Sequence, residues 1–100
     1  MFYSNYDTDI AEEQKVDVLT DLEKTYHIVV WNADVNTFDW VIETLIDICG
    51  HTEEQAEQCA LLIHTQGKYA VQQGTYTKLK PKTEAIVDRG INATLEVLTR

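Results

Sequence analysis

A chain of 100 residues holds one domain, and folding at that size buries about two-thirds of the unfolded surface around a single core. Hydrophobic residues make up 44% and charged residues 25%, which excludes wholesale disorder and a collagen-like repeat. Eight Lys and Arg against seventeen Asp and Glu leave a net charge of −9, which disfavours nucleic acid and anionic lipid surfaces and attracts an ammonium.

Residues 1–24 carry seven acids (Asp7, Asp9, Glu12, Glu13, Asp17, Asp21, Glu23) and two bases (Lys15, Lys24), so −5 of the charge lies there. Val16, Val18, Leu19 and Leu22 make only a diluted helical stripe, and the segment reads as a flexible acidic arm. The first residues have no basic start followed by an apolar stretch, and no apolar run approaches the ~20 residues of a membrane helix. Neither secretion nor a membrane span is expected.

From Tyr26 the punctuation sharpens. Tyr26 to Trp31 is β-branched and aromatic, hence a strand, and its apolar character on both faces makes it central. Asn32 to Thr37 is a polar turn ending in an N-cap. Phe38, Val41, Ile42, Leu45, Ile46 and Cys49 recur at helical spacing up to Gly50. Thr52-Glu53-Glu54-Gln55 is a capping box, opening a helix with Ala56, Cys59, Ala60, Ile63 and His64 on one face and a stop at Gly67. Tyr69 toward Tyr76 reads as a second strand, interrupted by Gln72-Gln73-Gly74. Pro81 suits the first turn of a third helix ending at Gly90, and Ile91 to Val97 alternates as a strand with one wet face. The expected order is β-α-α-β-α-β after the arm. That is an α+β two-layer sandwich, a three-stranded antiparallel sheet with three helices, spanning residues 25–100.

Cys49 and Cys59 both lie in apolar helical patterns without zinc spacing. They read as two reduced core thiols, which fits a cytoplasmic protein, and no metal or cofactor is expected.

His64 shares its helix face with Ala60 and Ile63, where a lone His is either a satisfied core or boundary residue or an acceptor at a pocket rim. Asn32 and Asp34 are either turn chemistry or a polar cluster at a strand end. An amide oxygen, a carboxylate and an imidazole nitrogen together suit an ammonium, which is all donor. Phe38, Val41, Ala60, Ile63 and Ile91 are core by default, and a pocket needs only that some of them line a cavity. An Asp34–His64 dyad lacks a nucleophile: there is no Gly-x-Ser-x-Gly, neither Cys has a polar context, and Gly67 and Gly74 are isolated. No catalytic residue is assigned. Lys78, Lys80 and Lys82 form a solvated basic cluster or a docking spot for an acidic partner.

Three stretches carry a family resemblance. Trp31-Asn32-Ala33-Asp34-Val35-Asn36-Thr37-Phe38 resembles the "N-D-D-x-T/N-P/T-M/F" turn of the Clp protease adaptor family, ClpS. Gln55 to Lys68 resembles the family's helix end "V/I-H-x-x-G-K", and Ile91 to Glu96 its closing strand. The match spans roughly residues 26–97, with three motifs in the family's order. It implies a non-enzymatic adaptor without cofactor. Such an adaptor binds proteins with an N-terminal Leu, Phe, Tyr or Trp (N-degrons) and hands them to the N-terminal domain of a Clp AAA+ unfoldase. By the resemblance Asn32, Asp34 and His64 bind the α-amino group, Asp34 through water. Phe38 guards a side-chain pocket shared by Asn36, Val41, Ala60, Ile63 and Ile91, Lys82 contacts the unfoldase, and the arm takes part in delivery.

Ala33 replaces the first of two usual Asp, Phe38 a common Met, and Ala60 a Met that often narrows the pocket. The alternative is a docking domain of the same fold that does not read free amino termini.

Overall fold

The computed structural model describes residues 24–98. The acidic arm, with its Val16, Val18, Leu19 and Leu22 stripe, therefore lies outside the described residues except for Lys24.

Strand β1 (Tyr26–Trp31) is central, flanked by β2 (Lys68–Gly74) and β3 (Ala93–Val97), with both pairings antiparallel. Alternation sends Ile28 and Val30 into the core, where they meet Val71 and Ala93 from the neighbouring strands. In the β1–β2 ladder Val29 faces Ala70 but Ile28 faces Gln72. Val71 is thus an extra residue, a β-bulge whose side chain is buried.

Helix α1 (Phe38–Thr44) is capped by Thr37, whose hydroxyl accepts from the Trp40 N–H at 3.1 Å. The helix was expected to run unchanged to Cys49. It instead widens into a π-helical turn over Leu45–Cys49 and stops at Gly50, where φ is 74°. Helix α2 (Glu53–Gln66) opens on the expected capping box. The Gln55 N–H donates to the Thr52 hydroxyl, and the Thr52 N–H donates to the Gln55 side chain. Its buried face is Ala56, Cys59, Ala60 and Ile63.

Two boundaries differ from the sequence expectation. Strand β2 stops at Gly74, and Thr75 caps helix α3 (Tyr76–Asp88) by accepting from the Lys78 N–H. Pro81 is thus the sixth residue of α3, not part of its first turn. The early start puts Leu79, Thr83 and Ile86 on one buried stripe, so core burial outweighs the helical bond that Pro81 lacks. Tyr76 belongs to the helix and packs edge-on against Tyr26, with ring centroids 5.3 Å apart. The last strand begins at Ala93 rather than Ile91, which is buried in the core and donates its N–H to the Ile86 carbonyl.

The helices cover one face of the sheet, giving the expected three-helix, three-strand sandwich. Trp40 and Arg89 brace it: the indole N–H donates to the Arg89 carbonyl at 3.0 Å, and the guanidinium lies 5.3 Å from the ring centroid. Arg89 also pairs with Asp47 at 3.1 Å and donates to the fully buried Thr44 hydroxyl. Cys49 and Cys59 are free and buried. Burial pushes the Cys49 thiol up to about 11, against a smaller lowering from the Lys82 ammonium, and pushes Cys59 up as well. No helix among the described residues is long and apolar enough to cross a membrane.

Candidate functional site

The polar turn between β1 and α1 is held at both ends by other parts of the fold. The Asn32 N–H donates to the Gly67 carbonyl at 2.9 Å, tying the turn to the end of α2. The Asn36 side-chain amide donates to the Gly90 carbonyl at 3.1 Å, tying it to the loop after α3. Within the turn the Asn36 N–H closes onto the Ala33 carbonyl at 3.1 Å. Both anchoring glycines have left-handed backbones, φ 89° and 84°, which end their helices and present these carbonyls.

Pinned in this way, the turn faces the last turns of α2 across a cavity of about 340 Å³. Its wall consists of Asn32, Ala33, Asp34, Asn36, Thr37 and Phe38 from the turn and the start of α1, Val41 from α1, and Ala60, Ile63 and His64 from α2. The volume lies at the low end of the range of small-ligand pockets, about 300–1,000 Å³, and suits one side chain rather than a length of peptide.

The wall has two characters. Asn32, Asp34 and His64 are exposed and bring three acceptor-bearing side chains to one opening. Ala60 and Ile63 are buried, Val41 is half-buried, and Phe38 is 45% exposed although it is aromatic. His64 is thus an exposed residue of the cavity wall and not a buried core residue. Asp34 is the one carboxylate in the wall, and no Lys or Arg joins it. Lys68 instead sits over the Trp31 ring, 4.6 Å from its centroid. Thr37 spends its hydroxyl on the α1 cap, and no Ser or Cys lines the cavity.

Two expected site residues lie elsewhere. Ile91 is 2% exposed and belongs to the core cluster rather than the cavity wall. Lys82 is half-buried on α3 and donates to the Gln72 side chain at 3.2 Å, outside the cavity. The cavity adds Thr37, which sequence reasoning read only as a cap, and Ala33, which it read as turn and as the replacement of a usual Asp. Their place between Asn32 and Phe38 was the available signal. Among the described residues no group of three or more His, Cys, Asp and Glu could hold a metal ion.

Comparison with known proteins identifies the family and the fold. The family profile of the ATP-dependent Clp protease adaptor protein ClpS matches residues 21–97. The ATP-dependent Clp protease adapter protein ClpS of Corynebacterium aurimucosum is 26% identical over 88 residues, covering 88% of this chain and 79% of its own. That of Neisseria meningitidis is 36% identical over 62 residues, covering 62% of this chain and 58% of its own. Among solved structures, Agrobacterium tumefaciens ClpS2 bound to L-phenylalaninamide superposes with a TM-score of 0.65 at 21% identity, covering 75% of this chain and 98% of that one, a likeness of fold. The profile spans β1 through β3, and with them the turn and helix end that meet at the cavity, so the chain belongs to the ClpS family of ATP-dependent Clp protease adaptor proteins.

Proposed function

We propose that this adaptor binds proteins whose N-terminal residue is Leu, Phe, Tyr or Trp and delivers them to the N-terminal domain of a Clp AAA+ unfoldase. One observation carries the reading: exposed Asn32, Asp34 and His64 share a single cavity with apolar Phe38, Val41, Ala60 and Ile63. A residue with a free α-amino group and a bulky apolar side chain satisfies both characters at once. L-Phenylalaninamide, the ligand of the Agrobacterium relative, has that chemistry.

In this reading Asn32 and His64 accept from the ammonium directly and Asp34 through water. The side chain enters between Phe38 and α2, where full burial of a Phe or Leu is worth roughly 1.5–3 kcal/mol. An internal peptide nitrogen or an acetylated terminus lacks the donors, so it leaves acceptors unpaired. A Lys or Arg side chain would bury a charge among apolar groups at a cost of several kcal/mol. In this reading the cavity holds its ligand without cleaving it, as an adaptor would, and no Ser or Cys lines it. Lys82 stays in the proposal as an unfoldase contact, and the buried free thiols go with a reducing, cytoplasmic setting.

Fluorescence anisotropy with a labelled Phe-first peptide, its N-acetylated twin and a Val-first control tests the reading. Tight binding of the free Phe peptide alone is expected. Equal or absent binding of all three would leave a docking domain that does not read amino termini.

A further inference from the structure

Base is scarce on this domain and gathered in one place. Among the described residues acids outnumber bases, and the helices divide them by sign. Helix α1 and the π-helical turn after it carry Asp39, Glu43 and Asp47. Helix α2 carries Glu53, Glu54 and Glu57 and no Lys or Arg. The first two turns of α3 reverse this, with Lys78, Lys80 and Lys82 and no acid before Glu84. That placement opposes the helix macrodipole, whose positive end favours acids in the first turn, so the potential there is doubly positive.

Lys82 gives its ammonium to the Gln72 side chain. Lys78 and Lys80 are exposed, and the one ion pair among the described residues joins Arg89 to Asp47. Lys80 lies 5.5 Å from the Tyr76 ring centroid and feels the charge of Glu84 without pairing with it.

The acidic arm leaves the domain beside these lysines. Tyr26, the first residue of β1, packs on Tyr76, the first residue of α3, with ring centroids 5.3 Å apart. Two steps of 5.3 and 5.5 Å therefore lead from the Tyr26 ring to the Lys80 ammonium. Residues 1–23 hold seven acids and one base, Lys15. Glu23 stands three residues before Tyr26, and three extended residues reach about 10 Å. The tether gives the arm a high effective concentration at α3, while the acids of α1 and α2 repel it.

We infer that the acidic segment 7–23 docks in cis on the first two turns of α3, its carboxylates pairing with Lys78 and Lys80. The occupant is this chain's own arm, tethered beside the lysines, rather than an acidic partner that must arrive from solution. Lys82 lies one turn beyond Lys78, so the docked arm stands where a partner of that face would approach. Neither exposed lysine lines the cavity, so the inference does not rest on the N-terminal-residue reading.

The test uses the whole chain with Thr8→Cys carrying a nitroxide between Asp7 and Asp9. Cys49 and Cys59 are buried and burial raises both thiols, so at neutral pH the label goes to position 8. Paramagnetic relaxation of the backbone amides is read at low salt, at about 1 M salt, where the screening length is about 3 Å, and in Lys78→Gln/Lys80→Gln. The enhancement should concentrate on residues 76–83, with the amides of α2 as internal reference. It should fall about 3- to 10-fold in high salt and in the double variant, each exposed ion pair shifting the equilibrium by up to about 5-fold. The variant changes only exposed side chains, so the fold is retained. Equal enhancement in the variant and the unmodified chain, or enhancement spread evenly over α2 and α3, overturns the inference. Enhancement that passes from labelled chains to unlabelled, isotope-enriched ones in a mixture would assign the lysines to a second copy and overturn docking in cis.

Discussion

Replacing Phe38 by Ala should divide its cost between folding and binding. Phe38 is the second residue to follow the pinned turn's Asn36, it lines the cavity, and it is 45% exposed without a ligand. Full burial of a Phe side chain is worth roughly 1.5–3 kcal/mol. A little under half of that surface is still available to a ligand, so closing it contributes about 0.7–1.4 kcal/mol to binding. Phe38→Ala should therefore raise the Kd of a Phe-first peptide roughly 3- to 10-fold. The part already buried belongs to folding, so urea denaturation should show a loss of about 1–2 kcal/mol. Anisotropy and denaturation on the same preparation separate the two shares. A stability loss above about 3 kcal/mol with unchanged affinity would refute the argument, because it would make Phe38 a core residue that the ligand never touches.

Three further outcomes are expected. His64→Ala should abolish most binding of free-terminus peptides while moving stability by no more than about 0.5 kcal/mol, since His64 is exposed. Gly67→Ala should cost about 1 kcal/mol in urea denaturation from backbone strain alone, because φ is 89° and an added Cβ meets nothing within 4 Å. Cys49 should make the fold sensitive to alkali. Its folded thiol is raised from 9.0 to about 11, so the folded state prefers the protonated form. That preference contributes fully below pH 9 and is lost between about pH 9 and 11, up to roughly 2–3 kcal/mol. Urea denaturation at pH 8 and 10.5 should show the slope, and Cys49→Ala should reduce it while leaving the share of Cys59, whose thiol burial also raises.

Local chemistry made much of the fold legible. Thr37, the Thr52–Gln55 box, Gly50 and Gly67 each act where their residue type dictates. Expectation failed where two local signals competed. Thr75 and Tyr76 have strand propensity, yet Thr75 is also a good cap, and the need to bury Leu79 decided for helix. The π-helical turn over Leu45–Cys49 has no sequence signature. Ile91 was legible as apolar, but periodicity does not tell a buried side chain behind a cavity from one in its wall. The meeting of Asn32 and Asp34 with His64 was not written in their spacing. It was expected from family resemblance, and the structure accounts for it by the Asn32–Gly67 hydrogen bond between strand end and helix end.

The two anchors of the polar turn also bear on how the pocket can fail. Asn32 hangs on the first residue after α2 and Asn36 on the residue that follows the α3 cap. Releasing the turn means breaking its bonds to the ends of both helices, so the cavity does not loosen by itself as an independent lid would. Its opening is linked to the cooperative unit that holds α2, α3 and the central strand together. Amide exchange at Asn32 and Asn36 should then proceed with the slow class of core amides even without ligand. Capture and melting should share one transition, and no warmed, half-folded form of the adaptor would retain grip on its cargo.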